Sequence, residues 1–230
     1  MIQVAVAGAR GRMGRLIAEA IKQDEKTNLC AELGRSLNCD LQQVNSAIDI
    51  VIDFTVPAAT LEHVRICQEH GYRMIIGTTG FTKEEQEQIA KAANKIPIVF
   101  APNMSIGVNL SFKLLEVAAS ILKGQADIAI LDLHHKHKKD SPSGTALKMA
   151  EIIQNASGSS MMKLDISSSR VGEVVGEHSA LFVLNGERLE ITHRATDRSL
   201  FAKGAVHAAK WLINQKVGLY DMQDVLGLHF

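Results

Sequence analysis

Short apolar runs alternate with helical patterns over the first hundred residues, and this alternation constrains the fold more than any other feature. The strand candidates are Ile2–Ala7, Asn28–Leu33, Ile48–Phe54, Arg73–Ile76 and Ile96–Phe100. Helical spacing occurs between them at Gly14–Ile21, Thr60–His70 and Lys83–Ala93. Strands that alternate with helices are typical of a doubly wound parallel sheet. The sequence therefore predicts an α/β domain.

A glycine-rich turn follows the first apolar run. Glycines stand at positions 8, 11 and 14, and a helix start follows them. This spacing allows a tight turn, close approach of a pyrophosphate to the backbone, and close packing of helix on strand. Glycine also simply ends strands, but a strand before and a helix after favour a Rossmann-type dinucleotide site. Arg10 and Arg12 either attract phosphate or belong to a solvated helix start.

The cofactor depends on the residue about 20 positions past the glycines, where an acidic side chain binds the ribose 2′-hydroxyl of NADH. Gly34 occupies that position, and Arg35 next to it can pair with a 2′-phosphate. Glu32, two residues before Gly34, lies on the same face of the second strand, so NADH remains an alternative cofactor. The pattern favours NADPH over NADH.

Three further turns follow predicted strands, at residues 55–57, 77–80 and 101–105. Ligands of parallel α/β sheets bind at the carboxyl ends of the strands, so we expect these turns to line one crevice with the glycine-rich turn. Thr55 is expected to cap a helix that begins at Pro57.

After Asn103 the pattern changes to longer helices and a hairpin. Helices are expected at Val108–Leu122, Thr145–Gln154 and Ala205–Asn214, strands at Asp127–Leu133, Ala180–Leu184 and Arg188–His193, and a surface loop at Asn155–Ser160. Asn185-Gly186 is a strong hairpin signal between the last two strands. The chain therefore predicts a second domain that is largely antiparallel.

Six consecutive residues that are basic or can become so, from His134 to Lys139, precede a Pro-Ser-Gly-Thr run that should open a helix. Like charges repel one another, and a helix start disfavours added positive charge. A bound anion relieves both effects, because the free amide groups of the helix start then act together with the cations. The crowding also lowers histidine and lysine pKa values towards neutrality, which suits proton transfer. The segment therefore indicates a site that holds an anion and donates a proton.

Two other interpretations of this cluster remain. Most runs of charge are solvated faces. A metal site is disfavoured, because no cysteine or paired acidic residue stands near His135 and His137, Asp140 is the only near counter-charge, and the lysines repel a cation. Lys plus Arg and Asp plus Glu are equal at 25 each, so no overall charge attracts nucleic acid or a membrane. The local cluster favours a small anionic ligand.

The remaining composition indicates a cytoplasmic protein. Cys30, Cys39 and Cys67 are scattered and form no CxxC pair, as expected of free thiols in a reducing compartment. The chain begins with a strand pattern rather than a signal peptide, and no apolar run approaches membrane-spanning length.

Over essentially its whole length the chain resembles the dihydrodipicolinate reductase family of diaminopimelate and lysine biosynthesis. The segments that carry the resemblance are residues 8–14, 53–55, 77–81, 101–105, 134–138 with 143–145, 176–178, 190–193, 220–222 and 224–226. The His/Lys and Ser-Gly-Thr stretch is the most specific of them. The resemblance implies reduction of 4-hydroxy-tetrahydrodipicolinate, with loss of water, by hydride transfer from NAD(P)H.

The resemblance also implies the roles of individual residues. His134 and Lys138 match proton donors, whereas substrate contacts match His135, Ser143, Gly144 and Thr145. Cofactor contacts match Gly8, Arg10, Gly11, Arg12, Met13, Gly14, Arg35, Phe54, Gly77, Thr78, Thr79, Ala101, Pro102, Asn103 and Met104. The implied dinucleotide-binding domain is 1–105 with 205–230 returning to it. The implied substrate and tetramerisation domain is 106–204, an α+β unit with a mixed, largely antiparallel sheet that joins four copies.

Two rival functions differ from this one. A nucleotide-sensing protein would use the crevice without chemistry and would not need Lys138. A dehydrogenase of an amino-acid semialdehyde would bind a linear substrate with an ammonium group, which a crowded basic cluster fits poorly. His178 and His193 are expected to be structural histidines.

Overall fold

A computed structural model describes residues 1–34, 47–158 and 164–229, so that Arg35 and Cys39 lie outside the described residues. The chain forms two compact units. One contains residues 1–106 together with residues from 199 onward, and the other contains residues 107–198. The chain returns to the first unit at Ser199, where a helix begins. The sequence indicated this return at residue 205, six residues later.

The described elements follow one another in the chain with a regular alternation in the first half. They are β1 (Ile2–Ala7), α1 (Arg12–Gln23), β2 (Thr27–Leu33), β3 (Ile50–Asp53), α2 (Pro57–His70), β4 (Arg73–Ile76), α3 (Lys83–Ala92), β5 (Pro97–Phe100), α4 (Ile106–Ile121), β6 (Asp127–His134), α5 (Gly144–Ser157), β7 (Asp165–Arg170), β8 (Gly176–Leu184), β9 (Glu187–Ala195), α6 (Ser199–Leu212), β10 (Gly218–Tyr220) and α7 (Met222–Leu226).

The first unit is built on a six-stranded parallel sheet with the order β10-β5-β4-β3-β1-β2. Apolar side chains cover both faces, as expected for a parallel sheet between helices. Val4 and Val6 pack with α1 and α6 on one face, whereas Ala5 and Ala7 pack with α2 and α3 on the other. The predicted Rossmann-type sheet is confirmed.

The second unit has a four-stranded sheet with the order β7-β6-β8-β9. β6 pairs in parallel with β7 and antiparallel with β8, which pairs antiparallel with β9. Helices α4 and α5 cover one face, where Leu115 and Met149 pack with Ile130 and Phe182. The prediction of a mixed, largely antiparallel sheet is confirmed.

Several local predictions differ from the structure. The N-cap position of α2 is Val56 rather than Thr55, and no side chain there bonds to the helix start. The Thr55 hydroxyl donates to Asp53 instead. Helix α5 continues to Ser157 and ends at Gly158, so the expected loop begins later than Asn155. Strands β7 and β10 and helix α7 were not predicted.

Two predictions from composition can be compared with the structure. Cys67 is a buried free thiol. Within the described ranges, no helix is both long and apolar enough to cross a membrane.

Candidate functional site

The turn between β1 and α1 forms a tight backbone cradle. Gly8 has a φ of +75°, a conformation that glycine adopts without strain. A Cβ on Gly14 would lie 2.2 Å from the Gly8 carbonyl oxygen, so a larger residue would force the helix away from the strand. Gly11 caps α1 without a side chain, and the first turn holds no acidic residue. The helix start therefore offers amide groups that can bind a phosphate.

The side chains of this turn point in different directions. Arg10 and Arg12 are exposed. The Arg10 carbonyl accepts a hydrogen bond from Arg15 Nε at 3.2 Å, which fixes the backbone of the turn. Met13 packs against the core. The two exposed guanidinium groups add positive charge beside the glycines.

The buried carboxylate of Asp53 joins the turns after β3 and β4. The hydroxyls of Thr55, Thr60 and Thr78 lie 2.7–3.2 Å from Asp53 Oδ1. The Thr55 amide donates to both Asp53 Oδ1 and Thr78 Oγ1 at 2.9 Å. His63 Nδ1 contacts the other carboxylate oxygen, and both side chains are fully buried. The two turns are therefore held by one shared hydrogen-bonding network.

The turns after β1, β3, β4 and β5 lie side by side, because these strands are neighbours in the parallel sheet. A Cβ on Gly77 would lie 2.2 Å from the Phe54 ring, and the Ala101 amide donates to the Ile76 carbonyl at 3.1 Å. Thr78 and Met104 are buried. The edge holds every predicted cofactor residue that the structure describes: Gly8, Arg10, Gly11, Arg12, Met13, Gly14, Phe54, Gly77, Thr78, Thr79, Ala101, Pro102, Asn103 and Met104.

In the second unit, the buried Asp132 carboxylate is the centre of a polar cluster. Its Oδ2 accepts from the Ser143 amide at 3.0 Å, Ser168 Oγ at 3.1 Å and Arg170 Nη2 at 3.0 Å. Burial opposes its charge, yet the hydrogen bonds from Ser143 and Arg170 lower the pKa of Asp132 to about 2. Asp132 is therefore a carboxylate at neutral pH, and it ties together two strands and the start of α5.

Two histidines face the other oxygen of this carboxylate. His134 Nδ1 lies 2.9 Å from Asp132 Oδ1, and His178 Nε2 lies 3.4 Å from it. The two rings meet edge to face with centroids 5.0 Å apart. Ser143 Oγ lies 3.1 Å from His178 Nε2. Both histidine side chains are nearly inaccessible to solvent.

Burial keeps both histidines neutral at pH 7. It lowers the pKa of His134, with further lowering by Lys138 and Arg170, although Asp132 acts in the opposite direction. It lowers the pKa of His178 to about 4, and the neighbouring His134 adds to that effect. A neutral imidazole has one nitrogen that donates and one that accepts, so it can take up or pass on a proton.

The remaining residues of the basic cluster are more exposed and have separate partners. His135 Nε2 lies 3.3 Å from Arg198 Nη2. Lys138 Nζ lies 2.9 Å from Asp140 Oδ1, and its side chain is 23 % exposed. The exposed Lys136 lies 3.7 Å from Glu173. The cluster is therefore divided between a buried histidine and accessible cations around it.

The predicted anion site lies at the start of α5. Ser143 is the N-cap, and its Oγ accepts from the Ala146 amide at 3.2 Å, so the Ser143 hydroxyl serves the helix itself. Gly144 is exposed, and no other atom lies within 4 Å of the place where its Cβ would be. Thr145 follows it in the first turn. The structure thus leaves room for a ligand at the amide groups of the helix start.

Sequence reasoning missed two members of this site, Asp132 and Arg170, and it expected His178 to be a structural histidine without indicating its neighbours. Asp140 was wrongly taken as the only near counter-charge, because Asp132 is closer to His134. Asp132 lies two residues before His134 on the same strand, and side chains with that spacing share a face, so strand periodicity could have revealed it. Arg170 and His178 come from other strands, and only the pairing of the strands reveals them.

Asp132, His134 and His178 lie within 4.8 Å of one another, a spacing that metal ligands also have. However, the Arg170 guanidinium is in direct contact with the carboxylate and balances its charge. A second cation at this position would be repelled. The cluster is better described as an ion pair with two neutral histidines than as a metal centre.

Comparison with protein families agrees with the two-unit organisation. Residues 2–104 match the family model described as "Dihydrodipicolinate reductase, N-terminus", and residues 107–226 match "Dihydrodipicolinate reductase, C-terminus". The two matches together span nearly the whole chain.

Individual relatives give the same result. A 4-hydroxy-tetrahydrodipicolinate reductase of Nitrosomonas eutropha is 45 % identical over 99 % of this chain and 99 % of its own. Among solved structures, dipicolinate-bound dihydrodipicolinate reductase from Paenisporosarcina sp. TG-14 is 26 % identical, with a TM-score of 0.80 over 96 % of this chain and 97 % of that one. DAP dehydrogenase of C. glutamicum, 11 % identical with a TM-score of 0.60 over 96 % and 92 %, shares the fold.

Proposed function

Because this chain belongs to the dihydrodipicolinate reductase family, we propose that it reduces 4-hydroxy-tetrahydrodipicolinate to tetrahydrodipicolinate with loss of water, using NAD(P)H. The full-length match to a relative of that name supports the proposal most strongly. The chain also has the two kinds of site that this reaction requires: a glycine cradle at a helix start, and a basic cluster beside a second helix start.

The residues of the first unit fit a nicotinamide dinucleotide. Larger side chains at Gly14 and Gly77 would collide with Gly8 and with the Phe54 ring at the sheet edge, and the uncapped start of α1 provides amide groups for a pyrophosphate. When bound, the cofactor supplies a hydride. In this proposal the turns that Asp53 holds orient the nicotinamide end.

NADPH is the favoured cofactor in this proposal. Gly34 has no side chain to accept from a ribose 2′-hydroxyl. Glu32 is exposed, and its carboxylate lies 3.4 Å from Lys22 Nζ, which partly neutralises it. A Gly34→Asp variant should therefore raise kcat/KM for NADH relative to NADPH, and an unchanged ratio would contradict this assignment.

The second unit binds the substrate in this proposal. One carboxylate of the heterocycle lies at the amide groups of Gly144 and Thr145, with His135 nearby. Ser143 acts by capping the helix rather than by touching the substrate, since its hydroxyl is buried and already bonded. Lys138 donates a proton to the reduced ring, because its Nζ is accessible and held by Asp140. His134 takes part in the same proton transfer.

The test is loss of nicotinamide absorbance when the heterocycle, made in situ by its synthase, is added to enzyme with NADPH or NADH. We expect rapid oxidation by the wild type and a loss of at least about 100-fold for Lys138→Ala. Lys136→Ala is the matched control, because that lysine is exposed, and it should remain near wild type. Cofactor binding without oxidation would instead support a nucleotide sensor.

We also propose that four copies associate through the outer face of the second unit's sheet. The buried face carries Ile130 and Phe182, whereas Leu131 and Val183 on the opposite face are each 45 % exposed. Exposed apolar strand faces of this kind are often covered by another chain. Sedimentation should give a tetramer, and Leu131→Glu should reduce its mass. A wild-type monomer would contradict the proposal.

A further inference from the structure

We propose that Asp132 is a positioning residue that fixes the ring and the tautomer of His134 and, with its second oxygen, fixes the start of α5. The inference deepens the proposed function and rests on it for the identity of the reaction. It concerns two parts of one site, the proton-transferring histidine and the helix start that binds the substrate carboxylate.

The two oxygens of Asp132 have separate tasks. Oδ2 is filled by three donors, from Ser143, Ser168 and Arg170, all within 3.1 Å. Oδ1 is left facing His134 Nδ1 at 2.9 Å. An ionised carboxylate only accepts hydrogen bonds. We therefore assign the proton to the facing Nδ1, which leaves Nε2 of the neutral His134 ring as the nitrogen that can accept one.

A glycine leaves room for the other side of the ring. A Cβ on Gly176, at the start of β8, would lie 2.9 Å from His134 Nε2. Any larger residue would push the ring away from its position. His178 packs edge to face against the same ring. The imidazole is therefore held between Asp132 on its Nδ1 side and Gly176 on its Nε2 side.

The same carboxylate reaches the anion-binding helix start. Asp132 Oδ2 accepts from the Ser143 amide, and Ser143 Oγ in turn caps the Ala146 amide. The backbone immediately before Gly144 is thus tied to the strand that carries His134. A substrate carboxylate at the helix start and the accepting nitrogen of His134 are therefore held in a fixed relation by a single side chain.

The charges around His134 determine the effect of removing this carboxylate. The charged groups that act on the ring are Asp132, Lys138 and Arg170, and His178 packs against it. Burial and the two cations disfavour a protonated ring, and the Asp132 carboxylate is the negative charge that opposes them. Without that negative charge, a proton should bind His134 less readily.

Asp132→Asn tests the proposal with little change in volume. The Asn oxygen stays with the three donors, so its NH₂ group faces His134 Nδ1, which must then accept. We expect kcat to fall on the order of 100-fold with KM near the wild-type value, and the acid limb of the pH–kcat profile to move to lower pH. ¹⁵N NMR of the His134 ring should report the Nδ1–H tautomer in wild type and the Nε2–H tautomer in the variant. Glu151→Gln on helix α5 is the control, since Glu151 is an exposed carboxylate of the same unit.

Each outcome decides one question. If wild type oxidises neither NADPH nor NADH, the proposed function is wrong, and the wild-type tautomer still tests the role of Asp132. If wild type turns over and Asp132→Asn has the same kcat, the positioning role is wrong. If Asp132→Asn does not fold, Gly176→Ala replaces it, because it displaces the ring and keeps every charge. We expect that variant to lose kcat, and an unchanged kcat would overturn the inference, as would an Nε2–H tautomer in wild type.

Discussion

Acid should destabilise the second unit through His178, before its carboxylates are protonated. Burial lowers the pKa of this histidine to about 4, from 6.5 for a solvated histidine. Repulsion from His134 and His193, once acid protonates them, and from Lys138 adds to the lowering, while Asp132 opposes it. The folded state therefore disfavours the protonated ring. At pH 7 the ring is neutral in both the folded and the unfolded chain, so the effect is absent there.

The size of the effect follows from proton linkage. Between pH 6.5 and about 4, the unfolded chain binds a proton at this position and the folded chain does not. The free energy of unfolding then falls by about 1.4 kcal/mol for each pH unit, or about 3 kcal/mol over the whole interval. Below pH 4 both states are protonated, and this contribution stops growing. A loss of that size is a large fraction of typical domain stability.

Amide hydrogen exchange in strands β6 and β8 is the suitable assay, because it reports on the second unit separately. Protection free energies should be compared at pH 6.5 and pH 4.5 for wild type and His178→Gln. Glutamine does not titrate, so between these two pH values the variant should lose about 2 kcal/mol less than wild type. His207→Gln, at an exposed position of the other unit, is the matched control. Equal acid losses in wild type and His178→Gln would refute the reasoning.

Other substitutions test packing and capping by thermal or urea unfolding. Gly204→Ala would place a Cβ 1.8 Å from the Met104 carbonyl oxygen, so despite better helix propensity it should cost about 2 kcal/mol or more; an unchanged midpoint would show that the backbone moves aside easily. Thr82→Ala removes the capping box that Thr82 forms with Glu85 at the start of α3 and should cost about 1 kcal/mol, whereas an effect within error would mean that solvent replaces the cap. Phe182→Ala empties a fully buried position and should cost about 3–5 kcal/mol; a loss below about 1 kcal/mol would indicate collapse of the cavity.

The sequence predicted the first unit well because its strands are short apolar runs between turn residues. The bounds of β1 and β4 agree with the prediction residue for residue. Strand β7 was missed because its sequence, Asp165–Arg170, is half serine and shows no apolar alternation. It becomes a strand by pairing with β6, which no local pattern indicates. The three-residue β10 was missed for a similar reason.

The same distinction applies to the candidate sites. The glycine cradle could be predicted because its residues are close in sequence and each glycine has a local reason. The Asp132 cluster could not, because it depends on register: Asp132 pairs with Ser168 on one side and with His178 on the other. Ser168 and His178 are each more than 30 positions from Asp132 along the chain. Only His134, two residues from Asp132, could be connected to it by strand periodicity.

The division of the first unit into two separated segments affects the order in which the protein can fold during synthesis. Helix α6 supplies Ala205, Ala209 and Leu212 to the same core as Val4 and Ile17. Residues 1–106 cannot complete that core until α6 has been made, after the 92 residues of the second unit. At about 5–20 residues per second, this delay lasts roughly 5 to 18 s. The apolar sheet face that α6 covers is exposed during that time, so it is a natural target for chaperones, whereas the continuous second unit can fold first.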